Sequence, residues 1–434
     1  MTSSFAVGLQ ALKALPETLR ERLHVAGSLA DQLELPLFLV GGAARDVLLG
    51  ASTTDADLVV EGDGLRFAGR LAEAFNATIL KHRRFGTATV TLEDGAKIDV
   101  ATARSEWYPE PGALPVVSPG TITEDLGRRD FTINAIAIRL NEAHLGELVD
   151  PHDGLGDLRR GLIRILHTKS FVDDPTRLFR AVRFEQRLSF RLEEQTERLC
   201  RNTATMGWAD RLSGYRLGEQ LRLLFEETNP WKGLHRLSEW GVLQTVHAAV
   251  TADAGVQQAF MALDRNRFNL TPVFKPTWSL YLLALCRNLP DASLRELRAR
   301  LRPDSELEKA LRDLPAMSHL AQQIVDGQVD GPSSFYSQAR RLSHGTIGLF
   351  ALADPRPPVR HRCERYLVRD RQVHLAINGH TLAELGIPRG PLYSRLLEQV
   401  LMEKLDERIQ TADEERLCAL KLWMSSCKKQ SDNR

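Results

Sequence analysis

Cysteine is scarce in this sequence, and long apolar runs are missing. The 434 residues include five cysteines, none of them in a Cys-x-x-Cys pair. An odd number of scattered cysteines disfavours a disulfide framework or a cysteine-rich zinc site and favours a reducing compartment. No apolar run approaches the ~18 residues of a membrane span. Residues 1–15 lack the cationic start and apolar stretch of a signal peptide, so we expect a cytoplasmic protein with no membrane partner.

An excess of charge of one sign is also lacking, since the net charge is only +1. An RNA-binding surface would need local clusters of cations, because phosphate contacts need positive charges in one place. Basic pairs occur at 83–84, 159–160, 340–341 and 428–429, and we interpret most of them as solvated faces. The P-loop pattern is absent, as is a Gly-x-Gly-x-x-Gly loop after a strand, which disfavours P-loop NTPases and dinucleotide-binding folds.

The pattern of the sequence changes near residue 150. Before it, apolar spacing predicts helices at 9–34, 44–49 and 67–75 and strands at 37–40, 57–60, 77–80, 87–92 and 97–101. The segment 130–140 is ambiguous between helix and strand. After residue 150, helical spacing prevails and predicts helices at 177–190 and 211–227. A chain of 434 residues should form two to four domains, here an α+β protein with an α/β head and a helical body.

The strongest local signal is a pair of acidic residues two positions apart, Asp55 and Asp57, preceded by Gly41-Gly42 and Arg45. Residues two apart in a strand point to the same face, so the two carboxylates would lie side by side. Like charges this close need a cation between them, and Mg²⁺ suits an all-oxygen site that also binds phosphates. Glycines before the acidic strand would let the backbone approach triphosphate oxygens.

Each of these acidic residues also has a simpler interpretation. An isolated Asp-x-Asp is more often a solvated pair at a strand end, but the preceding glycines and Arg45 favour the metal site here. Asp99, in the strand predicted at 97–101, is a candidate third catalytic carboxylate. An exposed aspartate at a strand end explains Asp99 equally well.

Four motifs, in order, resemble those of the class II tRNA CCA-adding enzymes and their poly(A) polymerase relatives. They are residues 38–50 with Asp55 and Asp57, then 128–135, 150–158 and 173–184; a tail segment at 377–386 is similar, though less specific. The resemblance implies a polymerase β-like nucleotidyltransferase head at 1–150, a helical neck at 151–230, and a helical body and tail at 231–434 that bind tRNA.

The resemblance also implies roles for individual residues. It implies that Asp55 and Asp57 bind Mg²⁺. It places a second group at the phosphates and sugar of the incoming nucleotide: Gly42, Arg45, Arg129, Asp130 and Asn134. The chemistry agrees, because guanidinium groups match phosphate oxygens in pairs. A surface salt-bridge cluster is the alternative interpretation of residues 128–130.

The fourth motif suggests how two bases are selected without a template. Asp174 and Arg177 are predicted to share one face of a helix. Cytosine and adenine both offer an amino donor beside a ring-nitrogen acceptor, which a carboxylate and a guanidinium can match, whereas uracil and guanine would leave both unpaired. The family uses its matching residues in this way, and the resemblance extends nucleotide contact to Arg180 and Arg183. Alternatively, Asp174 caps the helix that begins near Pro175.

The expected activity is template-independent addition of CCA, or of the terminal A, to the 3′ end of tRNA from CTP and ATP, with release of pyrophosphate. CC-adding members lack a flexible loop between the first two motifs, and the Pro- and Gly-containing segment 104–127 resembles that loop. Poly(A) polymerase, or a CC-adding enzyme that works with a separate A-adding enzyme, are the alternatives. Gly154 and Gly156 suggest a hinge between head and neck. The oligomeric state stays open.

Overall fold

The protein is described by a computed structural model that covers residues 4–51, 56–110, 112–268 and 277–431. The chain forms two compact units, Met1–Leu212 with Glu239–Thr245, and Ser213–Ser238 with Val246–Arg434. All predicted site residues belong to the first unit, and among them Asp55 lies outside the described residues. The finer division into head, neck, and body with tail stays a prediction.

The first unit mixes helices and strands. In chain order they are α1 (Ser4–Lys13), α2 (Glu17–Gln32), β1 (Leu37–Val40), α3 (Gly41–Leu48), β2 (Ala56–Val60), α4 (Gly64–Ala74), β3 (Thr78–His82), β4 (Thr87–Thr91), β5 (Lys97–Thr102), β6 (Arg104–Trp107), β7 (Val116–Pro119), α5 (Ile122–Gly127), β8 (Ala137–Arg139), β9 (Leu148–Val149), α6 (Gly154–Arg160), β10 (Leu162–Ile163), α7 (Ser170–Asp173), α8 (Thr176–Leu188), β11 (Arg191–Leu192) and α9 (Glu194–Thr205).

From residue 213 onward the described elements are helical, as the sequence predicts. They are α10 (Gly214–Phe225), α11 (Pro230–Glu239), α12 (Ala254–Phe268), α13 (Trp278–Cys286), α14 (Asp291–Leu301), α15 (Ser305–Val325), α16 (Pro332–Ala339), α17 (His344–Ala353), α18 (Pro357–Val368), α19 (Gly379–Glu384), α20 (Leu392–Leu405) and α21 (Ala412–Ser431). Within the described ranges, no helix combines the length and apolar character needed to cross a bilayer.

A seven-stranded mixed sheet positions the site, with the strand order β3-β4-β5-β2-β1-β8-β9. Its central pair, β2 and β5, is parallel. One face is covered across its width by α2, α3 and α4, whose apolar side chains pack on Leu39, Leu58 and Val100. On the other face, a smaller cluster around Phe38 and Val59 covers only the central strands. The outer part of that face therefore stays open.

The structure corrects the predicted start of the first short helix. Residues 44–49 are predicted to be helical, but α3 begins directly after β1, at Gly41. Gly41 has a φ of +63°, which glycine adopts without steric penalty. The chain can therefore turn from strand to helix within one residue, and the turn expected at Gly41-Gly42 belongs to the helix.

Two further segments differ from the sequence prediction. The expected loop at 104–127 contains an antiparallel hairpin, β6–β7, followed by α5. The strands were missed because each is only four residues long and neither shows an alternation of apolar and polar residues. The ambiguous segment at 130–140 is a 3-10 turn at Thr132–Asn134 followed by β8.

Gly154 and Gly156, expected at a hinge, both lie inside α6. A Cβ on Gly154 would come 2.2 Å from the carbonyl oxygen of Thr132, so this glycine allows a close approach of two backbones. A Cβ on Gly156 would come 2.4 Å from Asp153 Oδ1. Both glycines therefore serve local packing in this conformation, and the hinge stays a prediction.

Candidate active site

Two of the predicted catalytic carboxylates lie side by side on the sheet face opposite α2, α3 and α4, where the apolar cluster around Val59 ends. Asp57 on β2 is opposite Asp99 on β5 in the parallel register. Neighbouring strands run about 4.8 Å apart, and register partners point to the same face. Asp57 is half-buried and Asp99 is exposed. The hydroxyl group of Thr89 on β4 donates a hydrogen bond of 2.6 Å to Asp99 Oδ1.

These residues offer only oxygen donors, which suits a hard divalent cation such as Mg²⁺. Of the predicted metal pair, Asp57 lies near the start of a strand, beside Asp99 of the neighbouring strand. Its predicted companion, Asp55, lies outside the described residues. Among the residues that the structure does describe, no three His, Cys, Asp or Glu side chains are grouped closely enough to hold a metal ion.

Gly41 brings the first turn of α3 against both a guanidinium and a carboxylate. A Cβ at this position would lie 2.7 Å from Arg129 Nη1 and 3.8 Å from Asp57 Oδ2. Arg129 and Asp57 thus converge where the backbone carries no side chain. The sequence prediction singled out Gly42, but the neighbouring Gly41 has the positive φ and the close approach to Arg129. The only sequence signal for Gly41 was that it is one of two consecutive glycines.

A buried network joins four of the predicted nucleotide-binding residues. Arg45 is 4% exposed, and its Nη1 donates to Asn134 Oδ1 at 2.7 Å. Asn134 Nδ2 donates to Asp130 Oδ1 at 2.9 Å. Asp130 Oδ2 accepts from Arg180 Nε at 2.7 Å and Nη2 at 2.6 Å. The network links the first, second and fourth motifs, which are far apart in sequence.

Charge within this network is set by the Asp130–Arg180 pair. Burial alone would raise the pKa of Asp130, but the positive charge of Arg180 and the hydrogen bond from Asn134 outweigh it and lower that pKa. The negative charge of Asp130 in turn raises the pKa of Arg180. Both groups therefore stay ionised, and each fixes the other's position beside Arg45.

An aromatic ring packs against the same network, and sequence reasoning missed it. The guanidinium carbons of Arg45 and Arg180 lie 5.2 Å and 5.3 Å from the centroid of the Phe184 ring. Phe131 meets this ring edge-on, with the centroids 5.8 Å apart. Such contacts stabilise the cations and hold their planes. Arg183 is half-buried on the same helix, α8.

Asp125, also missed, holds two neighbouring arginines in place. Its side chain is fully buried, and its Oδ1 accepts from Arg128 Nε at 3.0 Å and Nη2 at 2.6 Å. Its Oδ2 accepts from Arg129 Nη2 at 2.9 Å. The spacing of three and four residues between these partners was a usable signal, because it places them on one side of a helix. The sequence left residues 128–130 open between nucleotide contact and a surface salt-bridge cluster. The structure does show ion pairs of Arg128 and Arg129, but their shared partner, Asp125, is buried rather than at the surface.

Asp174 corrects the prediction that the two base-selecting residues share a helix. Helix α8 begins at Thr176, and Asp174 has an extended backbone just before it. The reason is Pro175, which disfavours helical geometry in the preceding residue. Asp174 Oδ1 accepts from the backbone N–H of Thr176 at 3.0 Å and from its hydroxyl group at 2.6 Å. The N-cap position of α8 is occupied by Pro175, so Asp174 lies one residue earlier than the alternative interpretation as an N-cap expects, although it does accept from the first residue of the helix.

Arg177 is on α8 as predicted, and it is anchored from two sides. It is 4% exposed; Nη1 donates to Ser170 Oγ at 2.5 Å and Nη2 donates to the carbonyl oxygen of Arg128 at 2.7 Å. A guanidinium has five N–H donors. The described contacts use two of them, so the group is held in position and retains donors for a ligand.

The β6–β7 hairpin is hydrogen-bonded to the residues around both Arg128 and Asp174. Glu106 accepts from Arg104 Nε at 3.0 Å and from Arg128 Nη1 at 3.0 Å. At the tip, the N–H of Gly112 donates to the carbonyl oxygen of Asp173 at 3.2 Å. Burial raises the pKa of Tyr108 to about 12, with Arg177 opposing the shift and Glu106 adding to it. The hairpin is therefore ordered against the residues that are expected to select the base.

The chain is similar to known proteins over most of its length. Residues 37–164 match the family model of the poly A polymerase head domain. The chain is 37% identical over 418 residues to an A-adding tRNA nucleotidyltransferase of Geobacter sulfurreducens, covering 94% of this chain and 47% of the relative. It thus spans about half the length of that relative.

Two other relatives are matched over most of their length. An A-adding tRNA nucleotidyltransferase of Halalkalibacterium halodurans is 33% identical over 377 residues, 86% of each chain. A CC-adding tRNA nucleotidyltransferase of Deinococcus radiodurans is 33% identical over 392 residues, 90% of each. Among solved structures, the Thermotoga maritima CCA-adding enzyme complexed with tRNA-CCA aligns with a TM-score of 0.76 and 33% identity, covering 95% of this chain and 97% of that chain.

The mixed sheet lies within the part of the chain that matches the poly A polymerase head domain, and the α+β prediction is confirmed. The chain belongs to the class II tRNA nucleotidyltransferases, the family of the CCA-adding enzymes and their poly(A) polymerase relatives. This confirms the family that the four motifs indicated. Nucleotidyltransferases of this family generally use divalent metal ions.

Proposed function

We propose that this chain adds the terminal adenosine to tRNA that ends in CC, using ATP and releasing pyrophosphate. The observation that carries the proposal is the convergence of Arg129 and Asp57 on Gly41, next to the buried network of Arg45 and Asn134. This arrangement offers donors for a triphosphate and carboxylates for a cation within one face of the head. Two of the three relatives described above are A-adding enzymes.

The proposed metal is Mg²⁺, held by Asp57 and Asp55 with Asp99 as the further carboxylate. When bound, the ion lowers the pKa of the attacking hydroxyl group and stabilises the leaving pyrophosphate. The oxygen donors of Asp57, Asp99 and Thr89 fit such an ion.

The chain's own residues position the triphosphate. Arg129 and Arg45 direct guanidinium N–H groups at its oxygens, where paired charge-assisted hydrogen bonds are strongest. The bare backbone at Gly41 lets the phosphates come close to α3. The RNA 3′-hydroxyl group attacks the α-phosphate, a new P–O bond forms, and the bond to the β-phosphate oxygen breaks.

Base selection is assigned to Asp174 and Arg177. Arg177 is anchored by Ser170 and by the carbonyl oxygen of Arg128, so its remaining donors keep a fixed direction. It would donate to the ring nitrogen of the base, and Asp174 would accept from the exocyclic amino group. Uracil and guanine would leave both side chains unpaired, at a free-energy cost of about 1–3 kcal/mol for each group.

Adenine is preferred over cytosine in this proposal because of the ordered hairpin. Its tip is bonded to the backbone of Asp173, beside Asp174, and its base is bonded to Arg128 through Glu106. A hairpin held at this position would line the base pocket on the side of Asp174, as the loop of the members that can add A is expected to do. The CC-adding relative has the same identity as one A-adding relative, so sequence similarity alone does not decide this point.

One experiment tests the proposal against its rivals. Labelled ATP and CTP are offered separately to tRNA ending before the first C, after CC and after CCA, and also to an unrelated RNA. The expected result is a single AMP added to tRNA ending in CC, and nothing elsewhere. Incorporation of CTP would show a CC- or CCA-adding enzyme, and repeated AMP addition to unrelated RNA would show a poly(A) polymerase.

A further inference from the structure

The sheet face that carries Asp57 is closed on one side and open on the other. On β1, β2 and β8 it is covered by the apolar cluster around Phe38 and Val59. On β3, β4 and β5 the side chains that point to this face are exposed or half-buried. We call these residues the open strand face: Thr78, Leu80, His82, Thr87, Thr89, Thr91, Lys97 and Asp99.

A straight row of side chains crosses the open strand face from the catalytic carboxylate to the sheet edge. Asp57 is opposite Asp99, Asp99 is opposite Thr89, and Thr89 is opposite Leu80. Three strand spacings make this row about 14 Å long. Leu80, at its end on the edge strand β3, is 61% exposed.

Two cations and an aromatic ring follow directly after Leu80 and His82. Arg83 and Arg84 form, with Phe85, a 3-10 turn at the end of β3, and all three are exposed. Neither arginine has a carboxylate partner within the described ranges. Phe85 is 44% exposed, and the guanidinium carbon of Arg84 lies 5.6 Å from its ring centroid.

This turn has a fixed position and a favourable charge. Arg104 Nη1 donates to the carbonyl oxygen of Phe85 at 3.0 Å, which ties the turn to the base of the β6–β7 hairpin. Lys97 and His82 are exposed on the same face, where Asp99 is the only acidic member. A polar, cationic surface with exposed apolar side chains matches a single nucleic-acid strand, whose phosphates need cations and whose bases need flat apolar partners.

The position of the nucleotide network decides which RNA segment this surface would hold. Asn134 and Asp130 precede β8, on the closed side of Asp57. If the incoming nucleotide occupies that side, the growing strand must reach Asp57 from the other side. We propose that the 3′-terminal strand of the RNA lies on the open strand face, with its phosphates at Arg83 and Arg84 and its bases against Leu80 and Phe85.

This inference rests on the proposed function, because it needs the 3′ end of an RNA at Asp57. It is tested with the variant R83Q/R84Q and a matched control, R66Q/R70Q. The control removes two exposed charges from α4, which covers the opposite face of the same sheet. Both pairs are at the surface, so both variants should fold.

The first measurement is RNA binding without catalysis. A fluorescent acceptor-stem minihelix with a single-stranded 3′ overhang ending in CC is titrated with each protein and compared with a blunt minihelix. R83Q/R84Q should bind the overhang minihelix about tenfold more weakly, and the slope of log K against log salt should fall by about 1.5. The blunt minihelix and the R66Q/R70Q variant should show changes below about twofold.

The second measurement is steady-state incorporation. The KM for the overhang minihelix should rise in R83Q/R84Q while the KM for ATP stays unchanged, because the two ligands lie on opposite sides of Asp57. Equal behaviour of R83Q/R84Q and R66Q/R70Q in both measurements would overturn the inference. If the wild-type protein incorporates no nucleotide, the proposed function fails, and the binding comparison still decides whether RNA uses this surface.

Discussion

Asp57 and Asp99 stand opposite each other on parallel strands, at the line where the closed and open parts of one sheet face meet. On the closed side are the arginine network and the fourth motif, and on the open side is an exposed surface that ends at Leu80. Because the pair lies on this line, it can be reached by a triphosphate from one side and by an RNA strand from the other.

Removing the carboxylate of Asp57 should reduce kcat more than removing the carboxylate of Asp99. Asp57→Asn should lower kcat about a thousandfold, because the half-buried carboxylate next to Arg129 is the better placed ligand for the cation. Asp99→Asn should have a smaller effect, about tenfold to a hundredfold, that high Mg²⁺ concentrations partly reverse. Single-turnover AMP incorporation measures both. The control is Glu93→Gln, an exposed acid in the β4–β5 connection; retention of normal activity by Asp57→Asn would contradict the assignment.

Gly41 can be tested against Gly50, which also has a positive φ but at which an added Cβ would meet no side chain among the described residues. Gly41→Ala adds a Cβ 2.7 Å from Arg129 Nη1, at a φ of +63°. Gly50→Ala adds one at a φ of +71°, where no atom of the described residues, its two chain neighbours aside, lies within 4 Å. Both should lose about 1 kcal/mol of stability from backbone strain. Only Gly41→Ala should also raise the KM for ATP, because Arg129 must move; equal KM values in the two variants would rule out this role for Gly41.

Asp130 should contribute to stability in a pH-dependent way. Its pKa in the folded protein lies below the ordinary value of 3.8, because Arg180 and Asn134 outweigh the effect of burial. Its contribution is therefore present above pH 3.8 and is lost as the pH falls through the lowered pKa.

In Asp130→Asn, urea denaturation at pH 6 should show a loss of about 1–2 kcal/mol in the free energy of unfolding, since Arg180 loses its ion-pair partner but its side chain, 39% exposed, keeps contact with solvent. The difference from the wild-type protein should shrink below pH 3.8. A difference that grows as the pH falls would contradict the assigned direction of the pKa shift.

The position of the β6–β7 hairpin should depend on the carboxylate group of Glu106. Glu106→Gln removes the ionised acceptor shared by Arg104 and Arg128, so the hairpin should become easier to cleave in limited proteolysis. AMP incorporation should fall about tenfold, because Arg128 also holds Arg177 through its carbonyl oxygen. Glu110→Gln, at the exposed tip, is the matched control and should change neither property. If Glu106→Gln behaves like the control, the hairpin does not act through Glu106.

Local patterns in the sequence were enough to predict many of the strands and helices of this protein and its family. The apolar runs that became β1, β2 and β5 have an intrinsic preference for strands, and the helical spacing after residue 150 was sufficient to predict the helical body. Ordered motifs were enough to identify the family, because each motif combines turn residues and charged residues at fixed spacing. These properties depend on neighbours within about ten residues.

The tertiary structure alone decided which of these residues work together. Asp57 and Asp99 are neighbours because β2 and β5 pair in parallel, and Arg45 meets Asn134 across 89 residues of chain. Glu106 and Phe184 acquired their places only when separate segments packed, since nothing in their immediate surroundings distinguishes them from ordinary polar or core residues. Contacts between residues far apart in the chain depend on the packing of the whole first unit. They cannot be predicted from a short segment of the sequence.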